Sequence, residues 1–363
     1  MAVVPTRATP EIQTDRAPGE FRLEVLDGWR GISILMVLAC HMLPLTFGPI
    51  RGNATFAVGG MALFFTLSGF LITTTLFRNR HLPSFLVRRL FRIVPLAALA
   101  TLVMVPLGMM PRPNVPAHLF FYSNYAQDSI LPHTGHFWSL CVELHFYLAI
   151  ALAVFVAGLR GVLLLPLLGL GITGLRIASG THVNIMTHLR VDEILAGVTL
   201  ALVWLGVLGS TGRAISRVLA RVPVAVWMIV FLATCVPQGG PLAYLRPYGA
   251  AAVIGSTVVA TGRGPGVLRS RALRYIAEIS YALYIVHPLT MYGWMNEGGF
   301  VVKYSKRLLS FALTFGLAHL STYFYERRWI EWGRQICRNL QRSEPTTAPA
   351  PVANPRPVEQ RGI

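Results

Sequence analysis

Ten apolar stretches, separated by short polar segments rich in arginine, organise this chain from residue 31 to residue 326. They fall at about 31–48, 56–77, 90–110, 137–157, 161–178, 191–208, 222–237, 247–262, 275–295 and 307–326. Most approach the roughly 20 residues that an α-helix needs to cross a bilayer. The alternating segments of about ten residues that mark a membrane β-barrel are not visible. The pattern therefore predicts an all-α fold, a polytopic transmembrane helical bundle of about ten spans. Residues 1–22 carry Arg7, Arg16 and Arg22 without an apolar run, so they read as a cytoplasmic N-terminal segment and not as a secretory signal. A membrane domain is expected over 23–335. The segment 336–363 is expected to be a cytoplasmic tail, disordered over its Pro-rich polar part from 343 onward.

Composition supports the membrane assignment. Of 363 residues, 54% are hydrophobic and only 13% charged, where a soluble protein would carry about 25% charged residues. Mean hydropathy is +0.55. The net charge of +17 raises the possibility of a nucleic-acid partner, but the excess is nearly all arginine at the ends of apolar stretches. With the N-terminus placed in the cytoplasm and the spans alternating, 24 of the 32 cationic side chains fall inside and 8 outside. That bias is the positive-inside rule, so the charge reports topology and no nucleic-acid partner is expected. Arginine outnumbers lysine 30 to 2, as in a GC-rich bacterial genome, and the expected location is a bacterial cytoplasmic membrane with both termini inside. Cys40, Cys141, Cys235 and Cys337 stand singly, without metal-ligand spacing, and read as free thiols. No metal site is expected.

Against this apolar background a few polar side chains stand out. Arg30 in LDGWRG and His41 in ISILMVLACHM are eleven residues apart. That spacing returns both side chains to one helix face, roughly 16 Å apart along the axis. Ionisable groups aligned inside a membrane helix are costly and mark function by default. The imidazole suits a general base at neutral pH, with Asp27 one turn before Arg30; a helix-packing histidine is the plainer explanation. Ser68 and Gly69 in FFTLSGFLI offer a hydroxyl and a close backbone approach, and equally a small-residue helix contact. Arg88, Arg89 and Arg92, at helical spacings of three and four, make a basic surface suited to phosphates; anionic lipid headgroups would be served as well.

A fourth constellation is GHFWSLCVELHFY, residues 135–147. Ser139 and Glu143 share a helix face, and Trp138 marks the outer interface. Glu143 needs a partner in an apolar stretch, either an arginine, the imidazole of a catalytic histidine, or a sugar hydroxyl. Trp138 with His133 and His136 suggests an outward carbohydrate site, although aromatic belts place Trp at interfaces in any case. Arg190 and Asp192, Glu278 with His287, and Glu326 read as members of intramembrane ion pairs. TGRGPG at 261–266 has the wrong glycine spacing for a dinucleotide fingerprint and reads as a loop.

Taken in order, LDGWRG, the Arg30–His41 spacing, FFTLSGFLI, RRLFRIVPL, FWSLCVELHFYL, RVDEILAG, SYALYIVHP and ERRWIEWGR resemble the acyltransferase-3 family of integral membrane acyltransferases, over residues 23–335. The resemblance implies a ten-helix bundle that moves an acyl group, often acetyl, from cytoplasmic acyl-CoA to a hydroxyl of an extracytoplasmic acceptor. Glycans, glycolipids and peptidoglycan are usual acceptors, with macrolides and other small molecules among the rest. It further implies that His41 is the essential histidine, Arg30 its basic partner, and Arg89 with Arg92 the arginine motif linked to CoA. One departure is plain: where the family's WSL block continues with two acidic residues and Gln, Glu143 is followed here by Leu144 and His145. The role of the second acid is not carried over. The added C-terminal hydrolase-like domain of some relatives has no counterpart here, so transfer is expected to be completed by the bundle or by a partner.

Residues and resemblance together give one expected mechanism. Acyl-CoA, the donor substrate, docks its phosphates on Arg88, Arg89 and Arg92 with help from Arg30. Its pantetheine arm passes small residues such as Ser68 and Gly69, and the thioester reaches His41. The acceptor hydroxyl is deprotonated by His41, or the imidazole carries the acyl group itself. Glu143 orients the imidazole or the sugar, and Trp138, Ser139 and Asp27 contribute to the acceptor site. The expected partners are membrane lipid, acyl-CoA and a carbohydrate or glycolipid. A transporter or flippase without covalent chemistry is the alternative, weakened by the lack of an internal repeat. An inactive scaffold would need none of His41, Arg30 and the arginine cluster.

Overall fold

Each of the ten apolar stretches contains a helix, and the breaks between them follow from local backbone chemistry. The computed structural model describes residues 23–47, 50–236, 240–259 and 265–342. The N-terminal segment 1–22, the tail from 343 and most of TGRGPG lie outside the described residues. The first helix, α1 (Glu24–Met42), carries Glu24 and Asp27 in its first turn, where carboxylates complement the helix dipole. It ends at the extended Leu43, immediately before Pro44. Two-residue strands, Thr46–Phe47 and Ile50–Arg51, pair antiparallel and lead into α2 (Gly52–Arg78). Early in α2, Asn53 accepts from the Leu45 amide at 2.9 Å and donates to the Cys40 and Leu43 carbonyls at 2.6 Å. The C-terminal end of α1, and His41 on it, is thereby tied to its neighbour.

The third helix, α3 (Leu82–Met104), is capped by His81, whose Nδ1 accepts from the Ser84 amide at 3.1 Å. There follow α4 (Val115–Leu119), α5 (Trp138–Val162), α6 (Leu165–Ala178) and α7 (Asp192–Trp204). Next come α8 (Gly209–Arg221), α9 (Val224–Thr234) and α10 (Arg246–Val259). The chain closes with α11 (Arg271–Glu278), α12 (Ser280–Met291), α13 (Phe300–Leu320), a π-helical segment Ser321–Glu326 and α14 (Arg327–Arg342).

Several of the helices are short for a bilayer crossing. Among the described residues four are long and apolar enough to span a bilayer: α1, α2, the run Gly135–Val162, and Phe300–Arg342. The pair α7–α8, bent by 102°, raises the number to five. Helices α6 and α9, with 14 and 11 residues, reach only about 21 and 16 Å against a hydrocarbon core of about 30 Å. In α3 three arginines occupy the first half. By length and composition alone, four or five spans are identified among the described residues of this helical protein, and the count of about ten is not reached by this measure.

Close packing fixes the centre of the bundle. A Cβ on Gly69 would lie 1.9 Å from the Ile194 carbonyl oxygen, and one on Gly197 would lie 2.0 Å from that of Thr66. Helices α2 and α7 therefore cross backbone to backbone. Gly69 faces α7 and leaves no slot for a pantetheine arm. Beside this crossing lies a buried ionic cluster: Arg176 pairs with Asp192, Arg246 Nε donates to Glu193 Oε1 at 2.7 Å, and Arg190 Nη2 lies 3.3 Å from Glu193 Oε2. The predicted ion-pair members Arg190 and Asp192 thus belong to one cluster but have different partners. The side chains of all five are no more than 2% exposed.

Candidate active site

One face of α1 organises the site. Arg30, Ile34, Val37 and His41 follow at helical spacing, and the first three line a cavity together with Ser33. The other walls come from α2 (Met61, Phe64, Ser68, Leu71), α3 (Arg89, Arg92, Ile93), α5 (Leu140, Glu143, Tyr147) and α12 (Ser280, Tyr281, Tyr284). Arg30, Arg89, Arg92, Ser68 and Glu143, scattered over more than a hundred positions, thus converge on a single space. Hydroxyls and guanidiniums among apolar walls suit a long ligand with a phosphate-bearing end.

Electrostatics divide this space. Arg30 interacts with Arg92 and Arg89 as like charges and with Asp27 and Glu143 as opposite ones. Arg89 is held over the rings of Phe85 and Tyr147, 5.8 and 5.7 Å from their centres. Arg92 also faces Glu326, whose carboxylate accepts from Thr322 Oγ1 at 3.1 Å. Glu143 accepts from Ser68 Oγ at 2.8 Å and from the Tyr147 hydroxyl at 2.5 Å. Its hydrogen bonds are thus made to these hydroxyls, on the arginine side of the cavity, and not to His41. Tyr281 donates to the Ile93 carbonyl at 2.5 Å and Tyr325 to that of Pro95 at 3.2 Å, latching α3 in place.

Beyond Val37 the α1 face continues about one turn to His41. This imidazole is exposed and does not line the cavity. Its ring centre lies 5.2 Å from that of the buried His287. His136 follows at 5.3 Å from His287 and 5.2 Å from Tyr284. Tyr284 joins the two compartments: it lines the cavity, its hydroxyl donates to the His136 carbonyl at 2.6 Å, and it meets Ser139 Oγ at 2.6 Å. Nearby, His118 on α4 donates from Nδ1 to the Asn114 carbonyl at 3.0 Å. Burial holds this imidazole below the usual histidine range, against the pull of that carbonyl.

Arg88 is partly buried, outside the set that lines the cavity. Trp138 packs on Phe65 and under the Arg190 guanidinium, 5.3 Å from its ring centre, so its face is engaged by the buried ionic cluster. Ser139 reaches the cavity only through Tyr284. His133 stacks edge-on with Tyr292 at 5.4 Å. Glu278 and His287, paired in the sequence analysis, separate: Glu278 bonds Arg327 at 3.1 Å and His287 meets His41. Tyr147, Tyr281 and Tyr284 were missed. Tyr147 stands four residues after Glu143, a helical spacing that carried the signal; the other two are identified only by the cavity they line.

Comparison with known proteins accords with this arrangement. The family model described as "Acyltransferase domain" matches residues 23–326. The chain is 26% identical over 308 residues to the peptidoglycan O-acetyltransferase OatA of Listeria monocytogenes, covering 72% of this chain and 48% of that protein. A putative O-acetyltransferase of Staphylococcus aureus is 26% identical over 224 residues, 49% of this chain and 34% of its own. Nodulation protein 10 of Rhizobium leguminosarum bv. viciae is 25% identical over 298 residues, 69% of this chain and 78% of that protein. The chain therefore matches half or less of the length of the first two relatives. No solved structure matches it. With the family model spanning nearly all of the described helices, the chain belongs to the acyltransferase-3 family.

Proposed function

We propose that this protein is a membrane O-acyltransferase, moving an acyl group, acetyl foremost, from acyl-CoA to a hydroxyl of a carbohydrate or glycolipid on the opposite side of a bacterial cytoplasmic membrane. The observation that carries this proposal is the α1 face: Arg30 in a cavity with Arg89 and Arg92, and His41 on the same face beyond it. Three guanidiniums converging in one cavity fit the phosphates of CoA, which favour bidentate donors. Family membership and relatives named as O-acetyltransferases point to the same chemistry. The arginine bias expected from the sequence supports a cytoplasmic Arg30 end.

In this scheme the phosphates rest on Arg30, Arg89 and Arg92, and the thioester extends past Val37 and Tyr284. His41, reachable from outside, takes the proton of the acceptor hydroxyl as its oxygen attacks the acyl carbon. The ester C–O bond forms, the C–S bond breaks, and the imidazolium returns the proton to the departing thiolate. Glu143 holds Ser68 and Tyr147 in the wall and offsets part of the arginine charge.

Membranes containing wild type or His41→Ala, matched for amount, are supplied with isotope-labelled acetyl-CoA, and the surface glycan is analysed by mass spectrometry. Label is expected on glycan only with wild type. Equal labelling by the variant would remove His41 from the chemistry, and label in neither would overturn the assigned donor or acceptor.

A further inference from the structure

His287 carries an unassigned task that follows from the residue after it. Pro288 lies inside α12 and has no N–H, so the carbonyl four residues earlier, that of Tyr284, loses its helical donor. The His287 ring supplies one: Nδ1 lies 2.8 Å from the Tyr284 oxygen and 3.3 Å from that of Leu283. A carbonyl only accepts, so Nδ1 carries the proton and Nε2 presents a bare lone pair. The backbone thus fixes the tautomer, while His287, 1% exposed, keeps the ring still. The ring it faces across the helix boundary is that of His41, at 5.2 Å between centres and 36° between planes.

We infer that His287 is the positioning residue for His41: its Nε2 accepts the N–H of His41, directly or through one water, so that the other nitrogen of His41 presents its lone pair to the acceptor hydroxyl. The inference rests on the function proposed above. When the hydroxyl proton moves to His41, the imidazolium keeps its N–H shared with His287 Nε2 until the departing thiolate takes one proton back. No proton leaves the pair, and His287 does not touch substrate. Its worth is orientation of the base and stabilisation of its charged form, as in other base–orienter pairs. The titratable groups facing the pair are His136 before α5 and Tyr284 on α12, and Cys40 on α1 acts on Tyr284. Helix α13, packed behind α12, contributes the Ser310 and Thr314 hydroxyls near Thr290.

Two variants separate this task from helix capping. In His287→Asn the side-chain amide replaces Nδ1–H and keeps the cap but removes the acceptor. In His287→Gln the amide reaches the Nε2 position and keeps an acceptor there. With purified full-length protein, His287→Asn is expected to lose about tenfold to hundredfold in kcat with KM for acetyl-CoA unchanged, and His287→Gln is expected to retain more activity. Removing the acceptor destabilises protonated His41, so the acid limb of the kcat profile in His287→Asn moves to lower pH. Wild-type kcat and an unmoved limb in His287→Asn would overturn the inference. Nuclear magnetic resonance of wild type with isotope-labelled histidine supplies a test independent of any variant: His287 protonated on Nε2 would also overturn it. Failure of the proposed function itself reads differently, as activity surviving His41→Ala.

Discussion

At the scale of single residues, the site depends on charges that are distant in sequence and adjacent in space. Arg89 and Arg92 line the cavity, and Arg88 next to them does not. Helix geometry explains this, since successive side chains diverge by about 100° and only one of two neighbours can face inward. Arg92→Gln is therefore expected to raise KM for acetyl-CoA about tenfold or more, the loss of a charged hydrogen bond worth about 1.5–3 kcal/mol, with a smaller effect on kcat. Arg88→Gln should leave KM near the wild-type value. Steady-state kinetics in detergent check both, and equal effects of the two would disprove the assignment of the cavity to the phosphates. Glu143 illustrates what a single sequence leaves open. Its need for a partner was legible, but the choice of Ser68 and Tyr147 over His41 depends on where α2 and α5 meet.

At the scale of elements, the α2–α7 crossing is the tightest constraint. Gly69→Ala would force a methyl to 1.9 Å from the Ile194 oxygen, so the helices must separate. Overpacking of this kind costs about 1–3 kcal/mol or more. The variant should unfold at clearly lower temperature than wild type in a detergent thermal melt. Gly171→Ala on α6, with no atom within 4 Å of the added Cβ, should not, and a helical alanine there is intrinsically favoured by up to about 1 kcal/mol. Equal melting of the two variants would refute the crossing. Local breaks elsewhere have visible causes: Pro288 lies inside α12, and Gly158, at φ +61°, kinks α5 in a conformation open to glycine.

At the scale of the whole molecule, the buried ionic cluster binds α6, α7 and α10 to the segment before α7. Arg176 and Arg246 both also donate to the His182 carbonyl, at 2.5 and 3.1 Å. Glu193→Gln would leave Arg190 and Arg246 without their counter-charge, and breaking such a pair costs about 3–5 kcal/mol. Loss of folded protein, measured by size-exclusion chromatography, is the expected result. Topology offers a separate check. The four native cysteines are buried, so an impermeant thiol reagent should ignore them. In intact cells it should label Val183→Cys and spare Arg80→Cys, which becomes reactive on permeabilisation. The reverse pattern would invert the orientation on which the direction of transfer rests.

Periodicity and composition alone determined that this is a helical membrane protein, since apolar runs too long and too frequent for a soluble core leave no other solvent. They also selected Arg30, His41, Arg89, Arg92, Ser68 and Glu143, because a polar group in an apolar run is conspicuous wherever it sits. Tertiary structure decided which of these share a space, and it left Arg88 and Trp138 out of the cavity. It also decided the length of each helix and hence how few are long enough to span by themselves. Only packing could bring Tyr284 and His287 between the basic cavity and His41. The physical reason is that local pattern records what each residue must avoid, namely water or hydrocarbon. The partner it finds depends on helix crossings set by a few close contacts, such as Gly69 on Ile194, far apart in the chain.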